Sequence, residues 1–260
     1  MLKEVIATRF ITPLREGGSL PGLVEADDLG TYVMKFTGAG QGRKTLVAEV
    51  VCGELARRLG LRVPRLVTME LDPVLGLGEP EQQVQDLLRS SGGTNLGMDF
   101  LSGALGFDPL AFEVSPEEAG RVLWFDALVN NVDRSWRNPN LLIWHGDLWV
   151  IDHGASLYFH HGWAGGVTDP ARFAAQPWDP SGHVFESCAQ RARELDDELS
   201  ASLDRGVFAE VLADVPDEWL EPVPGGDGAD QLGPEALRAA YVDFLDARLG
   251  TRQWLPGGAR

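Results

Sequence analysis

The sequence predicts an α+β protein with a β-rich first part and a mainly helical second part. In the first hundred residues, short apolar runs bounded by Gly, Asp and Pro recur, as is typical of strands. After residue 115, apolar residues recur at helical spacing, with two short apolar runs around a His-Gly-Asp turn inserted between the helices. A chain of 260 residues is long enough to bury a sizeable core.

The first part contains the patterns of several strands and two helices. Strands are predicted within residues 24–36, where an Asp/Gly turn separates two apolar runs, at 65–71, and from 96 toward 103; helices are predicted at 46–59 and 80–90. Lys35 falls near the end of the second strand, and Glu49 lies one turn into the first helix. Before them, the glycine loop of residues 17–22 can bring backbone amides close to phosphates.

The second part opens with a well-marked helix at residues 115–130. Ser115 is a capping residue, Pro116 suits the first helical position, and two glutamates follow where the helix dipole favours negative charge. Further helices are predicted at residues 184–204, 208–213 and 234–249.

A β-hairpin is predicted between these helices. Residues 141–144 and 148–151 are apolar runs, and His145-Gly146-Asp147 supplies the turn. Asn138 precedes the first strand and Asp152 follows the second, so antiparallel pairing brings both side chains to one end of the hairpin. Asp133 lies in the loop that leaves the preceding helix.

These three side chains suit a magnesium-nucleotide and a phosphoryl acceptor. Mg²⁺ takes oxygen ligands and keeps several waters and phosphate oxygens, so one carboxylate and one carboxamide suffice. A carboxylate just before the metal ligands can accept a proton from an attacking hydroxyl. Because Asp and Asn are also common in turns and caps, the prediction depends on the joint pattern of Asp133, Asn138 and Asp152.

The same residues carry a resemblance to a known family. Asp133-Arg134-x-x-x-Asn138, followed by a strand that ends in Ile151-Asp152-His153-Gly154, resembles the HipA-like kinases, in particular a compact actinobacterial type that lacks the extra N-terminal subdomain. The resemblance implies a bilobal protein-kinase-like fold, with an N-lobe over residues 1–101 and a helical C-lobe over 102–260. It implies that Asp133 is the catalytic base and that Asn138 and Asp152 are metal ligands.

The resemblance also assigns roles in the first part of the chain. It implies that Lys35 binds phosphate, that Glu49 pairs with Lys35, and that the loop containing Gly17, Gly18 and Ser19 covers the phosphates. Backbone groups near Asp99, Phe100 and Leu101 would meet adenine. The implied cofactors are ATP and Mg²⁺, the implied acceptor is a hydroxyl on protein Ser or Thr, and an antitoxin-type partner is implied by the relatives alone.

Several positions depart from the protein-kinase pattern. The first loop lacks Gly-x-Gly-x-x-Gly, Ser135 stands where a lysine is usual, and His153 replaces the usual Phe. Arg134 or Arg137 is a candidate for the missing positive charge beside the phosphoryl group. No activation-segment ending is recognisable in the sequence.

Alternative functions remain open at this point. The fold also hosts kinases of small molecules or natural-product peptides, and a pseudokinase could use the cleft as a scaffold. Residues 38–45 resemble a P-loop, although Arg43 separates its last glycine from Lys44. A zinc site built from the clustered histidines is a further alternative, without firm ligand spacing; these are His145, His153, His160 and His161.

Composition sets further limits on function. A formal charge of −17 argues against nucleic acid as a partner and, as a whole-surface property, against acidic substrates. No apolar run is long enough for a membrane span and no signal peptide is apparent, so a cytoplasmic protein is expected. Cys52 and Cys188 are expected to be reduced thiols. A flexible acidic loop is expected at residues 222–230 and a disordered tail at 255–260.

Overall fold

The computed structural model describes residues 1–15, 20–40, 42–222 and 231–256. Residues 1–47 and 64–102 form one compact unit, and residues 48–63 and 103–260 form another. The first is rich in strands and the second is mainly helical, as predicted for an α+β protein. The predicted phosphate-covering residues Gly17, Gly18 and Ser19 lie outside the described residues, as do 223–230 and 257–260.

The strands described in the first unit close into a barrel in the order β1–β2–β3–β5–β4, in which β1 and β4 pair in parallel. They are β1 (Lys3–Pro13), β2 (Gly22–Ala26), β3 (Thr31–Lys35), β4 (Leu66–Leu71) and β5 (Gly93–Asp99). Alternate residues of β2 and β3, such as Val24, Tyr32 and Met34, point into the barrel. The pattern does not reveal β1, because Val5 and Ala7 are its buried residues and most others are exposed.

Two helices accompany these strands in the sequence. They are α1 (Gly42–Arg58) and α2 (Gln82–Ser90). Helix α1 begins four residues before the predicted start, and its residues 42–47 belong to the first unit while 48–58 belong to the second. The strand before it, β3, pairs antiparallel with both neighbours in the barrel. A P-loop requires a parallel α/β sheet, so that alternative is wrong.

The predicted hairpin is confirmed in the second unit. A short strand β6 (Leu105–Gly106) pairs with β7 (Leu141–Trp144), which pairs antiparallel with β8 (Asp147–Val150). His145 and Gly146 both have positive φ, 53° and 87°, as a two-residue type I′ turn requires. Leu141 faces Val150, so residues 140 and 151 meet at the open end.

Helices make up most of the second unit. They are α3 (Pro116–Val129), α4 (Pro170–Ala174), α5 (Ala189–Glu194), α6 (Asp196–Ala201), α7 (Arg205–Leu212), α8 (Asp217–Leu220) and α9 (Pro234–Thr251). The single helix predicted over 184–204 is wrong: a 3₁₀ segment, Glu186–Cys188, precedes α5, and α6 follows after a break at Leu195. The carboxylate of Asp196 accepts from Trp124 Nε1 and Arg252 Nε, at 2.8 and 2.9 Å. These bonds fix the start of α6, so that it does not continue α5.

One buried guanidinium joins three of these helices. Arg248 of α9 donates to the carbonyls of Ala127 and Leu128 at the end of α3, and to those of Phe173 and Gln176 at the end of α4. The carbonyls of Ala127 and Leu128 lie in the last turn of α3, where a helix lacks donors of its own. The Phe173 carbonyl also accepts from the Gln176 amide at 3.0 Å. Burial lowers the pKa of Arg248 to about 9, so the group stays charged at neutral pH.

Both cysteines are free thiols, with Cys52 buried and Cys188 partly buried. Burial raises the pKa of the Cys52 thiol well above its ordinary value, which keeps it protonated and inert. Across the described ranges, none of the helices combines the length and the apolar character needed to cross a membrane.

Candidate active site

Helix α3 leads directly into the loop that contains the candidate catalytic residue, Asp133. Its start is fixed by Ser115 Oγ, which accepts from the Glu118 amide at 3.2 Å, as the sequence predicts. Its end is fixed by Asn130, whose backbone is left-handed and whose amide donates to the Asp126 carbonyl. The loop over residues 130–140 therefore leaves the helix in a defined direction.

Asp133 and Asn138 are joined by a hydrogen bond, so the predicted approach of these residues is present. Asn138 Nδ2 donates to Asp133 Oδ2 at 3.0 Å, and Asn140 Nδ2 donates to the same oxygen at 3.2 Å. The Asp133 amide donates to Asn131 Oδ1 at 3.0 Å. Among the described residues, no donor reaches Asp133 Oδ1, so one carboxylate oxygen is held in place and the other can accept a proton.

Beneath this loop lies a fully buried charge cluster around Asp126. Asp126 Oδ2 accepts from Arg134 Nε at 2.6 Å and from His183 Nε2 at 2.9 Å, and Asn131 Nδ2 donates to Oδ1 at 2.9 Å. Burial alone would raise the pKa of the Asp126 carboxyl, but Arg134 and His183 hold it well below its usual range. Arg134 is thus a buried partner of Asp126, and the idea that it supplies charge to the phosphoryl group is wrong.

Arg134 also joins the two chain segments that meet at the open end of the hairpin. Its Nη1 donates to the carbonyls of Pro139, Asn140 and Ile151, and the Ile151 amide donates to the Asn140 carbonyl at 3.1 Å. Asn138 and Asp152 flank these bonded positions in the sequence. Both side chains therefore belong to the same end of the hairpin, as antiparallel pairing predicts.

The segment after β8 is held in an unusual conformation. Asp152 has a φ of 55°, a left-handed backbone that is uncommon among residues other than Gly, although Asp adopts it more readily than most. The next amide, that of His153, donates to Glu49 Oε2 at 3.0 Å, and the Glu49 side chain is fully buried. The contact fixes the backbone next to the candidate metal ligand. The pairing of Glu49 with Lys35 stays a prediction.

The substitution of His153 for Phe has a structural explanation. The ring is buried, packs edge-on against Phe125 at 5.6 Å, and its Nδ1 lies 3.4 Å from Arg134 Nη2. His153 thus belongs to the packing below the loop. Arg137 differs, because it is exposed and lies 4.8 Å above the ring of Trp136, itself 61% exposed. A role for Arg137 beside the phosphoryl group stays a prediction.

The first unit carries the other predicted residues. Lys35 ends β3 and is buried, with 7% exposure. At the end of β5, the Asp99 amide donates to the Arg65 carbonyl and the Phe100 amide to the Thr31 carbonyl, at 2.8 and 2.9 Å. The Leu101 amide makes no hydrogen bond to the part of the chain that the structure describes. It is the amide here that adenine could use, and the adenine role of Asp99, Phe100 and Leu101 stays a prediction.

The ligand chemistry of the hairpin end fits magnesium. Asn138 Nδ2 is used by Asp133, which leaves Asn138 Oδ1 as its ligand atom, and Asp152 adds a carboxylate; both are the hard oxygen donors that Mg²⁺ takes. Within residues 1–15, 20–40, 42–222 and 231–256, no three His, Cys, Asp or Glu side chains cluster in a way that could hold a metal ion. One of the histidines behind the zinc alternative, His160, lies within hydrogen-bonding distance of Tyr241 and His161.

Sequence reasoning missed Asp126, Asn140 and His183. A signal for Asp126 was present, because it is a lone carboxylate within the apolar run from Val122 to Val129, where an unpaired charge would be costly. Asn140 and His183 gave no such signal. His183 reaches Asp126 from 57 residues away in the chain, which local patterns do not record.

A strand-rich unit with a buried lysine at the end of β3, and a mainly helical unit with Asp133, Asn138 and Asp152 around a hairpin, are features of the protein-kinase-like class. The fold is similar to that of a Helicobacter pylori proinflammatory kinase, CtkA, with a TM-score of 0.50 and 13% identity over 94% of this chain and 98% of that chain. Residues 7–232 match the family model described as HipA-like kinase, and the chain belongs to this family. The resemblance and the fold class inferred from the sequence are therefore confirmed.

Other solved structures are less similar. The Golgi casein kinase has 12% identity and a TM-score of 0.41, over 95% of this chain and 71% of that chain. Its structure with Mn/ADP bound has the same identity and TM-score, over 97% and 74%. These similarities are too low to support an argument about this chain. No curated protein sequence matches it.

Proposed function

We propose that the protein is an ATP- and Mg²⁺-dependent kinase that phosphorylates a hydroxyl group, with a protein Ser or Thr as acceptor. The observation that carries the proposal is the anchored carboxylate of Asp133. Two carboxamides hold its Oδ2, and its Oδ1 can accept a proton from the incoming hydroxyl. Membership of the HipA-like kinase family supports the same reaction class.

In this proposal each side chain has a defined task. Asp133 orients the acceptor hydroxyl and receives its proton, while Asn138 Oδ1 and the Asp152 carboxylate hold the metal. The bound Mg²⁺-ATP supplies the phosphoryl group and neutralises charge during transfer. Lys35 would bind phosphate and Glu49 would support it, while the backbone at Asp99–Leu101 would hold adenine. An antitoxin-type partner stays a prediction from the resemblance.

The test is phosphotransfer by the purified protein with Mg²⁺ and γ-labelled ATP, measured as autophosphorylation and as transfer to candidate proteins. We expect Asp133→Asn to lower kcat by about 100- to 10,000-fold while nucleotide still binds, because a positioned base contributes about that factor. We expect Asp152→Asn to weaken Mg²⁺-ATP binding itself, read as the loss of a ligand-dependent rise in melting temperature.

The matched control is Asp147→Asn at the opposite end of the same hairpin. Asp147 is exposed and forms a surface ion pair with Arg62, so its loss should change neither readout. Transfer that persists in Asp133→Asn would contradict the assigned base. Nucleotide binding without transfer to any acceptor would favour a scaffold, and products on small molecules alone would favour a metabolite kinase. Greater loss of nucleotide binding in Lys44→Ala than in Lys35→Ala would contradict the assignment of Lys35.

A further inference from the structure

A cavity of about 540 Å³ lies in the second unit, separate from the cluster around Asp133. Its floor is aromatic, formed by Phe159, Phe173 and Phe244, of which the last two are buried. Polar residues such as Thr168 and Gln176 also line the cavity, and Gly162 contributes no side chain to the lining; a Cβ added there would meet no atom within 4 Å. The cavity thus combines a place for an apolar side chain with a polar rim.

The charge of this cavity is opposite to that of the protein. The chain has 39 acidic and 22 basic residues, yet none of the described residues that line the cavity is acidic. Arg172 lies on the rim, is exposed, and forms no ion pair with any residue in the described ranges. A guanidinium in this state is suited to a carboxylate or a phosphate from a ligand.

A hydrogen-bonded chain holds another residue of the lining, His161, in place. Tyr241 Oη lies 2.9 Å from His160 Nδ1, and His160 Nε2 lies 3.1 Å from His161 Nε2. His160 is fully buried, whereas His161 lines the cavity. The imidazole of His161 is therefore held in a fixed place, which reduces the entropy lost when a ligand binds.

The cavity also lies close to the candidate base. Asn130, which lines it, is three residues before Asp133, and three residues span at most about 10 Å. An extended peptide covers that distance in about three residues. A peptide whose hydroxyl meets Asp133 and whose chain runs toward Asn130 would therefore place a residue two to four positions away in or beside the cavity.

We infer that this cavity recognises the acceptor, and that the acceptor is a peptide segment with a large apolar side chain next to an anionic residue, two to four positions from the phosphorylated hydroxyl. The inference deepens the proposed kinase function and rests on it for the meaning of the acceptor. The apolar side chain would contact the aromatic floor, and the anionic group would pair with Arg172. This local preference is opposite to the one expected from the net charge of the whole surface.

The test uses fluorescein-labelled Ser peptides in which a Phe-Glu pair is moved from four residues before the Ser to four residues after it, with Phe-Gln and Phe-Lys versions. Binding is measured by anisotropy without nucleotide, and phosphotransfer separately with Mg²⁺-ATP. At the best position we expect the Glu peptide to bind at least tenfold more tightly than the Lys peptide. Arg172→Gln should remove the preference for Glu over Gln. Gly162→Leu, which adds a bulky side chain to the lining, should weaken the binding of all three peptides.

Arg205→Gln is the matched control, because Arg205 is exposed and pairs with Asp243, and neither residue lines the cavity. It should leave the binding of every peptide unchanged. Equal binding of the Glu and Lys peptides, or an unchanged preference in Arg172→Gln, would overturn the inference. Binding of free 3-phenylpropionate as tight as that of the best peptide would also overturn the inference, since the cavity would then be a site for a small anion. Peptide binding that follows the expected pattern without any phosphotransfer would contradict the proposed kinase function but support the specificity inferred for the cavity.

Discussion

The buried carboxylate of Asp126 is the centre of the charge cluster beneath the loop that presents Asp133. Removing one partner of a buried ion pair leaves the other charge uncompensated, at a cost of about 3–5 kcal/mol. We therefore expect Asp126→Asn to lower the free energy of unfolding by about that amount at pH 7, measured by urea denaturation. The exposed Asp147→Asn should lower it by less than about 1 kcal/mol.

The same residue gives the stability a defined pH dependence. The pKa of Asp126 is lower in the folded protein than in the unfolded chain, where it is about 3.9. Its contribution is therefore fully present above the unfolded pKa and is lost as the pH falls below about 4. The difference in unfolding free energy between wild type and Asp126→Asn should shrink between pH 6 and pH 3. A constant difference over that range would contradict the assigned shift.

Asn140 is the residue whose role the structure adds to the loop. It donates to Asp133 Oδ2, and its backbone φ is 49°, a conformation that glycine adopts without strain. We expect Asn140→Gly to keep the backbone but free one side of the Asp133 carboxylate. The kcat for phosphotransfer should fall about tenfold, the effect of losing one hydrogen bond to a charged group, while the KM for ATP stays unchanged.

His145→Gly is the control for that substitution. His145 also has a left-handed backbone, with a φ of 53°, but it lies in the hairpin turn at the far end from Asp133. Its replacement should leave kcat unchanged. A loss of activity equal to that in Asn140→Gly would mean that hairpin stability, and not the position of the carboxylate, limits the reaction.

The ends of α3 and α4 depend on one side chain of α9. Arg248 donates to four carbonyls of the two helix ends, and a lysine ammonium cannot reach all of them from one position. Each buried carbonyl left without a donor costs about 1–3 kcal/mol. Arg248→Lys should therefore lower the unfolding free energy by about 2–5 kcal/mol in urea denaturation. Arg205→Lys, an exposed replacement in the same unit, should change it little.

Elements with strong local signals could be predicted from the sequence. Helix α3 has a cap, a proline and acidic residues at its start, and the hairpin has two apolar runs around a glycine turn. Elements that depend on distant contacts could not be predicted. Strand β1 has few buried residues, and the break between α5 and α6 is held by Trp124 and Arg252 from elsewhere in the chain.

The candidate site follows the same division. The placement of Asn138 and Asp152 at one end of the hairpin could be predicted, because the antiparallel register determines it. Asp126 and His183 could not be connected, because their contact joins α3 to a segment 57 residues later. Burial also decides that Arg134 faces inward while Arg137 faces solvent, and the two arginines look equivalent in the sequence.

The net charge of −17 belongs to the molecule as a whole. Like charges repel in the compact state, and salt screens them over about 10 Å at 0.1 M ionic strength. We expect the melting temperature at pH 7 to rise as NaCl increases from about 20 to about 200 mM, measured by calorimetry. Near pH 4.6, the isoelectric point of the sequence, the same addition should have little effect. A melting temperature that falls with salt at pH 7 would show that attractive ion pairs dominate.

The contact between the Glu49 carboxylate and the His153 amide has a consequence for hydrogen exchange. An amide in a segment without regular secondary structure normally exchanges its proton with solvent quickly, because local fluctuations expose it. The His153 amide instead donates to a fully buried carboxylate that belongs to a helix about a hundred residues earlier in the chain. Its exchange therefore requires α1 and the segment after β8 to separate, and its deuterium uptake would report how often the backbone beside Asp152 opens.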